Sequence, residues 1–178
     1  MLDFLFYLIV GLIVVVGAIL ALASTRPDGF AVSRTARIAA PADRLFAMIN
    51  ELKVMNTWNP YALRDKGGTI TYRGPASGKG ARFDFAGGKS GTGSIEILDA
   101  TPPSRVTMRL EMVKPFKADN TIVFTLAPQG PATDVSWAMS GQQPLLAKAM
   151  TLFIDCDKMV GRDFETGLAA LKAIADKA

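Results

Sequence analysis

The sequence contains no histidine and a single cysteine, Cys156. The absence of histidine excludes Ser-His-Asp and Cys-His catalysis, and it removes the usual histidine ligands of zinc and iron sites. A single cysteine cannot form an internal disulfide, so no disulfide framework is expected within the chain. We therefore expect neither a metal centre nor a bound cofactor.

Charge is missing from one long stretch near the start of the chain. Residues 4–23 carry no charged side chain, and Asp3 is the single charge in residues 1–23. About twenty apolar residues match the length needed to cross a hydrocarbon core roughly 30 Å thick. The alternative is a cleaved signal peptide with residues 21–23 (Ala-Leu-Ala) as its cleavage site, but the basic start is absent and the apolar run is long for one. We predict a transmembrane anchor over residues 1–23 and a turn-rich linker over residues 24–29.

Basic residues are missing before the apolar segment. All 20 Lys and Arg residues follow it, beginning with Arg26, Arg34 and Arg37. The positive-inside rule then predicts a single-pass membrane protein whose C-terminal domain, residues 30–178, lies in the cytoplasm. The basic residues are scattered rather than gathered in a stripe, so binding to nucleic acid is not expected.

The pattern of apolar residues predicts the fold of this domain. Residues 30–38 alternate as a half-buried strand, and two short helices follow, one ending near Ile49 and one over residues 52–58. Six further strands, joined by turns rich in Gly and Pro, lie within residues 69–139. Residues 146–175 contain no proline and repeat apolar side chains at helical spacing, which predicts one long helix. The predicted class is α+β, with a curved antiparallel sheet of about seven strands covered by the C-terminal helix.

This order of elements and several short motifs resemble a known family. Residues 39–46, 58–61 (Trp-Asn-Pro-Tyr), 135–141 and 161–168 resemble, in order, four segments of the polyketide cyclase/dehydrase group of the SRPBCC superfamily. These segments are the first strand-to-helix junction, a Trp-x-Pro-aromatic segment, the last strand and the closing helix, and the resemblance covers residues 30–172. It implies a START-like, helix-grip fold with a cavity between the sheet and the C-terminal helix. Members of this fold include binders of hydrophobic small molecules or lipids, cyclases or dehydratases, and modules that bind partner proteins, so these three functions stay open.

Candidate ligand-binding residues are aromatic and apolar side chains on the strands and on the helical stripe. Asp157 is predicted to lie on that stripe, facing the cavity, where a carboxylate is costly unless it is paired or functional. Two interpretations stay open for it: a structural ion pair or hydrogen bond, or a ligand anchor or acid with a raised pKa. If the protein is an enzyme, Asp157 and Tyr72 are the candidates for proton transfer. The predicted ligand-binding residues are Trp58, Tyr61, Tyr72, Phe83, Phe85, Trp137, Met139, Phe153 and Asp157.

Three other residues of the predicted helix stand out. Asp155 and Asp163 fall on other faces than the apolar stripe, and we expect both in solvent. Gly161 costs about 1 kcal/mol relative to alanine inside a helix. We therefore expect it where the helix packs closely on the sheet or leaves room for a ligand.

The glycine-rich residues 87–93 (Gly-Gly-Lys-Ser-Gly-Thr-Gly) suggest a phosphate-binding loop at first sight. That motif requires a glycine at position 83, which is Phe83, and it requires a helix directly after the loop. Because strands are predicted on both sides, we interpret the segment as a hairpin turn.

Overall fold

The computed structural model describes residues 2–65, 67–153 and 155–176. The first helix, α1 (Leu2–Ser24), is the one helix in these ranges that is long and apolar enough to cross a membrane, judged by length and composition. Nearly all its side chains are exposed, but Ala23 in its last turn is fully buried. Four residues, 25–28, connect α1 to the first strand.

The domain that follows α1 is built on one antiparallel sheet, as predicted. The spatial order of its strands is β1-β7-β6-β5-β4-β3-β2, so the first and last strands of the chain are neighbours. Polar and apolar residues alternate along each strand, and the apolar ones form the inner face. The seven strands are β1 (Gly29–Ile38), β2 (Thr69–Arg73), β3 (Arg82–Ala86), β4 (Thr92–Thr101), β5 (Arg105–Lys114), β6 (Ala118–Gln129) and β7 (Ala132–Gln142).

Three short helices, rather than the expected two, follow β1: α2 (Ala42–Asn50), α3 (Leu52–Met55) and α4 (Pro60–Arg64). The Asn59 side chain accepts a hydrogen bond from the Tyr61 N–H at 3.1 Å, and Pro60 takes the first helical position. An Asn cap followed by Pro is a helix start. Residues 59–60 therefore begin a helix instead of ending one.

The C-terminal helix is interrupted near its start. It consists of α5 (Leu145–Thr151) and α6 (Cys156–Ala175) instead of one helix over residues 146–175. The Asp155 side chain caps α6 by accepting a hydrogen bond from the Lys158 N–H at 3.1 Å. Since α5 packs on the end of α1, the break lets α6 take its own direction across the sheet.

The packed core lies between the sheet and its helices, and some of its residues also line the cavity described next. The second half of α6 contributes Leu168 and Leu171 to this core, together with Leu45 of α2 and Val135 of β7. The first half of α6 lines that cavity. Sheet, short helices and long terminal helix together form a helix-grip fold, which confirms the predicted class.

Candidate ligand-binding site

A cavity of about 690 Å³ lies between the inner face of the sheet and the first half of α6. Its volume falls within the range of small-molecule sites, about 300–1,000 Å³. Its walls are mainly apolar, and five of the eight methionines of the chain contribute to them: Met55, Met108, Met112, Met139 and Met159. The other large apolar residues of the wall are Ile70, Phe83, Phe85, Ile95, Leu110, Ile122, Phe124, Trp137, Val160 and Phe164.

Several lining residues are exposed, among them Ile70, Lys89 and Met159, and we take the mouth of the cavity to lie at these residues. Lys89 and Ser90 of the turn between β3 and β4 line the cavity, and their backbone N–H groups donate hydrogen bonds to the two carboxylate oxygens of Asp65 at 3.0 and 3.1 Å. Gly88 has a φ of 65°, and a Cβ at this position would overlap the Asp65 carboxylate. The glycine-rich segment is thus a hairpin turn, as predicted, and two of its amide donors bond to a carboxylate of the same chain.

A polar cluster forms one side of the wall. Both terminal nitrogens of Arg64 donate to the carboxylate of Asp163 at 2.8 Å, and the guanidinium lies 5.1 Å from the centre of the Tyr61 ring. Burial raises the pKa of the Tyr61 hydroxyl, and the negative charge of Asp163 and hydrogen bonding to its carboxylate raise it further, so Tyr61 stays protonated. Asp163 was expected in solvent, but its side chain is only 18% exposed and lines the cavity.

Trp137 brings a second donor to the wall. Its ring stacks on Phe164 at a centroid distance of 4.3 Å, and its Cζ3 faces Gly167 and Pro60. Nε1 lies at the opposite edge of the indole and, within the described part of the chain, has no hydrogen-bond partner. Because Trp137 is only 4% exposed, this N–H is cut off from bulk water, although the indole belongs to the cavity lining.

Five of the nine predicted ligand-binding residues line the cavity: Tyr61, Phe83, Phe85, Trp137 and Met139. Trp58 and Tyr72 do not belong to the lining. Trp58 is fully buried in the core and donates its N–H to the Met48 carbonyl at 3.1 Å. Tyr72 is 38% exposed on β2, and its hydroxyl accepts a hydrogen bond from Asn56 at 3.0 Å.

Phe153 and Asp157 also lie outside the cavity, so the expectation that Asp157 faces it is wrong. Asp157 is exposed and pairs with Arg34 of β1 at 2.9 Å. Hydrogen bonds from Arg34 lower the pKa of Asp157, the opposite of the shift expected for an acid buried in the cavity. Gly161 leaves room for the Arg34 guanidinium, which a Cβ there would overlap. Phe153, in the connection between α5 and α6, is 75% exposed.

The direction of α6 explains why Asp163 lines the cavity and Asp157 is exposed, the reverse of the expected environments. The helix lies along β1, an edge strand, so its 157/161 side meets Arg34. Its neighbouring side, with Val160 and Asp163, faces the cavity. The sequence gives the spacing of these residues but not the direction in which the helix crosses the sheet.

The comparisons with known proteins agree with this architecture. The family model described as "Polyketide cyclase / dehydrase and lipid transport" matches residues 29–176. Protein MLL2253 from Mesorhizobium loti is similar in structure, with a TM-score of 0.62 and 16% identity, covering 84% of this chain and 98% of that chain. For protein CV1439 from Chromobacterium violaceum the TM-score is 0.57 and the identity 16%, with coverage of 84% and 98%.

A third similar structure is Ara h 8.0201, a Bet v 1 allergen. Its TM-score is 0.59 at 8% identity, covering 84% of this chain and 99% of that chain. At such identities these likenesses establish the fold alone. No curated protein matches the chain in sequence.

Proposed function

Because the chain belongs to the polyketide cyclase/dehydrase and lipid transport family, we propose that its helix-grip domain binds a hydrophobic small molecule or lipid beneath α6. The observation that carries this proposal is the cavity of about 690 Å³ with its apolar wall. Protein interiors are normally packed with few voids larger than a water molecule. A space of this size is therefore a functional feature, and its apolar surface favours an apolar occupant.

The polar groups of the wall narrow the chemistry of the ligand. Asp163 is paired with Arg64, and the other two charged residues of the lining, Asp65 and Lys89, lie at the cavity mouth, so the apolar interior presents no charge to an ionic ligand. Trp137 has an indole N–H without a partner in the described residues, and Tyr61 has a hydroxyl that interacts with Asp163. The ligand that fits is neutral, with an apolar body and at least one oxygen acceptor. In this proposal it contacts Tyr61, Phe83, Phe85, Trp137 and Met139.

We also propose that α1 is retained as a membrane anchor, with residues 1–23 in the bilayer and residues 24–29 as the linker to the domain at 30–178. Its length and lack of charge support this assignment. A signal peptidase would cleave the peptide bond after Ala23. This residue is fully buried in the folded protein, so cleavage there would remove a residue that packs against the rest of the molecule. The basic residues that follow α1 favour a cytoplasmic domain.

Catalysis has less support than binding. The candidates for proton transfer, Asp157 and Tyr72, lie outside the cavity lining. Arg34 also keeps Asp157 ionised by lowering its pKa. A cyclase or dehydratase mechanism through either residue would lack contact with a ligand in the cavity.

Filling the cavity tests the proposal. Full-length protein in detergent would be titrated with Nile red, a neutral apolar dye with a carbonyl oxygen, and followed by native mass spectrometry. Ile122→Trp places an indole in the cavity and should weaken Nile red binding about tenfold or more, a loss of about 1.4 kcal/mol. Thr121→Trp adds the same group on the exposed face of β6 and should bind like the wild type. Equal binding by the two variants would contradict the proposal.

A further inference from the structure

The strands of the sheet have two sets of ends, and one set lies on the side that carries both the mouth of the cavity and the attachment to α1. The α1–β1, α4–β2, β3–β4, β5–β6 and β7–α5 connections all meet there. Gly68, Lys89 and Ser90, from two of these connections, line the cavity mouth. The strand pairs on this side, called the proximal edge below, are Gly29 with Gln142, Ala118 with Met112, Lys114 with Thr92, and Ala86 with Thr69.

The proximal edge is held close to the end of α1. The four residues 25–28 can span at most about 14 Å when fully extended. Asp28 of this linker forms an ion pair with Lys148 of α5, and its carbonyl accepts a hydrogen bond from the Gln143 N–H at 2.6 Å. If α1 crosses a bilayer, the proximal edge therefore lies at that membrane's surface.

Large apolar side chains are exposed along or beside this edge. Val113 and Phe116 lie on the β5–β6 hairpin, and Phe153 lies between α5 and α6, next to the linker. Ile70 and Met159 stand at the cavity mouth, and all five residues are between 38 and 75% exposed. Large exposed apolar groups on one side of a domain favour an interaction surface, and Ile70 and Met159 belong both to this side and to the cavity lining.

The charges at the proximal edge suit an anionic surface. Among its acidic residues, Asp28, Asp119 and Asp155 are ion-paired within the protein, Asp65 accepts two backbone hydrogen bonds, and Glu111 is half-buried. Its exposed basic residues, by contrast, have no carboxylate within ion-pair distance in the described ranges. Anionic headgroups of a membrane would attract each of these positive charges. These residues are Arg26, Lys89, Lys114 and Lys117.

We infer that the domain docks by its proximal edge on the anionic surface of the membrane that holds α1. Phe116 and Phe153 enter the interface, and the cavity mouth faces the bilayer. The ligand then passes between bilayer and cavity without crossing bulk water, a route that rests on the ligand-binding function proposed above. The partner is the lipid surface itself, recognised by apolar contact and by the cations around it.

Quenching by brominated lipid tests the docking. Full-length Phe116→Trp and Phe153→Trp proteins would be reconstituted in vesicles of phosphatidylcholine and phosphatidylglycerol in equal amounts, with acyl chains brominated near the headgroups. The added tryptophans should lose most of their fluorescence. Thr125→Trp, exposed on β6 and paired with Arg105 at the opposite edge of the sheet, should stay bright. Equal quenching at all three positions, or at none, would overturn the inference.

Two further experiments complete the test. The first separates the contribution of charge from that of apolar contact, and the second separates membrane docking from ligand binding. Replacing phosphatidylglycerol by phosphatidylcholine, or combining Lys114→Gln with Lys117→Gln, should restore most of the Phe116→Trp fluorescence, and unchanged quenching would overturn the role of charge. Nile red binding is measured on the same proteins in detergent. Bound Nile red with unquenched tryptophans would overturn the docking and leave the proposed function standing. Quenched tryptophans with no Nile red binding would overturn the proposed function and, with it, the exchange route.

Discussion

The indole N–H of Trp137 is a buried donor beside an apolar cavity. A buried donor without a partner costs about 1–3 kcal/mol, so a ligand that supplies an oxygen recovers that energy on binding. A hydrocarbon of the same size gains the apolar contact but not the hydrogen bond. This single group thus makes the site able to distinguish two ligands of equal hydrophobicity.

Replacing Trp137 by Phe should change that discrimination. We expect Trp137→Phe to bind Nile red about fivefold more weakly, since a net hydrogen bond contributes about 1 kcal/mol. Pyrene has no hydrogen-bond acceptor, so it should bind the variant and the wild type with similar affinity. Trp137→Phe enlarges the cavity slightly, and pyrene can occupy this extra space. Titration of both probes by native mass spectrometry gives the two ratios. An equal loss for both probes would mean that Trp137 acts only through its shape.

At the residue scale, the sequence predicted aromatic side chains better than charged ones. Phe83 and Phe85 alternate along a strand, and alternation alone places them on the inner face. The same reasoning applies to Ile122 and Phe124, which alternate along β6 and also line the cavity. The environments of Asp157 and Asp163 depended on α4 and on the direction of α6, and no local pattern reports that direction.

Between the anchor and the domain, one ion pair fastens α5. Lys148 is only 6% exposed and holds its ammonium group against Asp28, whose side chain is largely in solvent. Hydrogen bonding to Lys148 lowers the pKa of Asp28 below its usual value. The pair therefore stabilises the fold above about pH 4, and this contribution disappears as the pH falls through the folded-state pKa of Asp28.

Replacing Asp28 and replacing Lys148 should lower the Tm by different amounts. Asp28→Asn leaves the buried ammonium of Lys148 without a counter-charge and should lower the Tm by a few degrees at neutral pH. Lys148→Met removes the charge, keeps the length of the side chain and should cost less. Thermal unfolding in detergent measures both, and the Asp28→Asn protein should converge on the wild type in acid. A larger loss for Lys148→Met would contradict this account.

At the element scale, all seven strands were predicted in their order along the chain, although β4, β6 and β7 extend further than predicted. The helices were harder because their boundaries depend on single capping residues. Asn59 and Asp155 both cap the start of a helix. The sequence pattern alone favours the end of a helix at Asn59 and a solvent-exposed charge at Asp155. Between Thr151 and Cys156 there is no Gly or Pro, so the break between α5 and α6 had no strong signal.

At the scale of the whole molecule, the two proposals together place α1 as an anchor and the proximal edge as a docking surface on the same membrane. All the basic residues follow α1, so the domain and its cationic edge are expected in the cytoplasm. Anionic lipids are concentrated in the cytoplasmic leaflet, which matches the charge of that edge.

Thiol labelling in intact cells tests this orientation. In a Cys156→Ser background, Ser104→Cys places a thiol at an exposed turn of the domain, and Asp3→Cys places one at the other end of α1. A membrane-impermeant maleimide should label Asp3→Cys in intact cells and Ser104→Cys only after permeabilisation. The reverse pattern would place the domain outside the cytoplasm.

The methionines of the cavity wall bear on how broadly the protein selects its ligands. Thioether side chains are unbranched and polarisable, and they change rotamer at little cost, so five of them give a wall that reshapes around its contents. Such a wall discriminates poorly between isomers of similar bulk. The protein should accept a chemical series defined by size and by one oxygen atom, and oxidation of its methionines to sulfoxides would make the same wall polar and close it to that series.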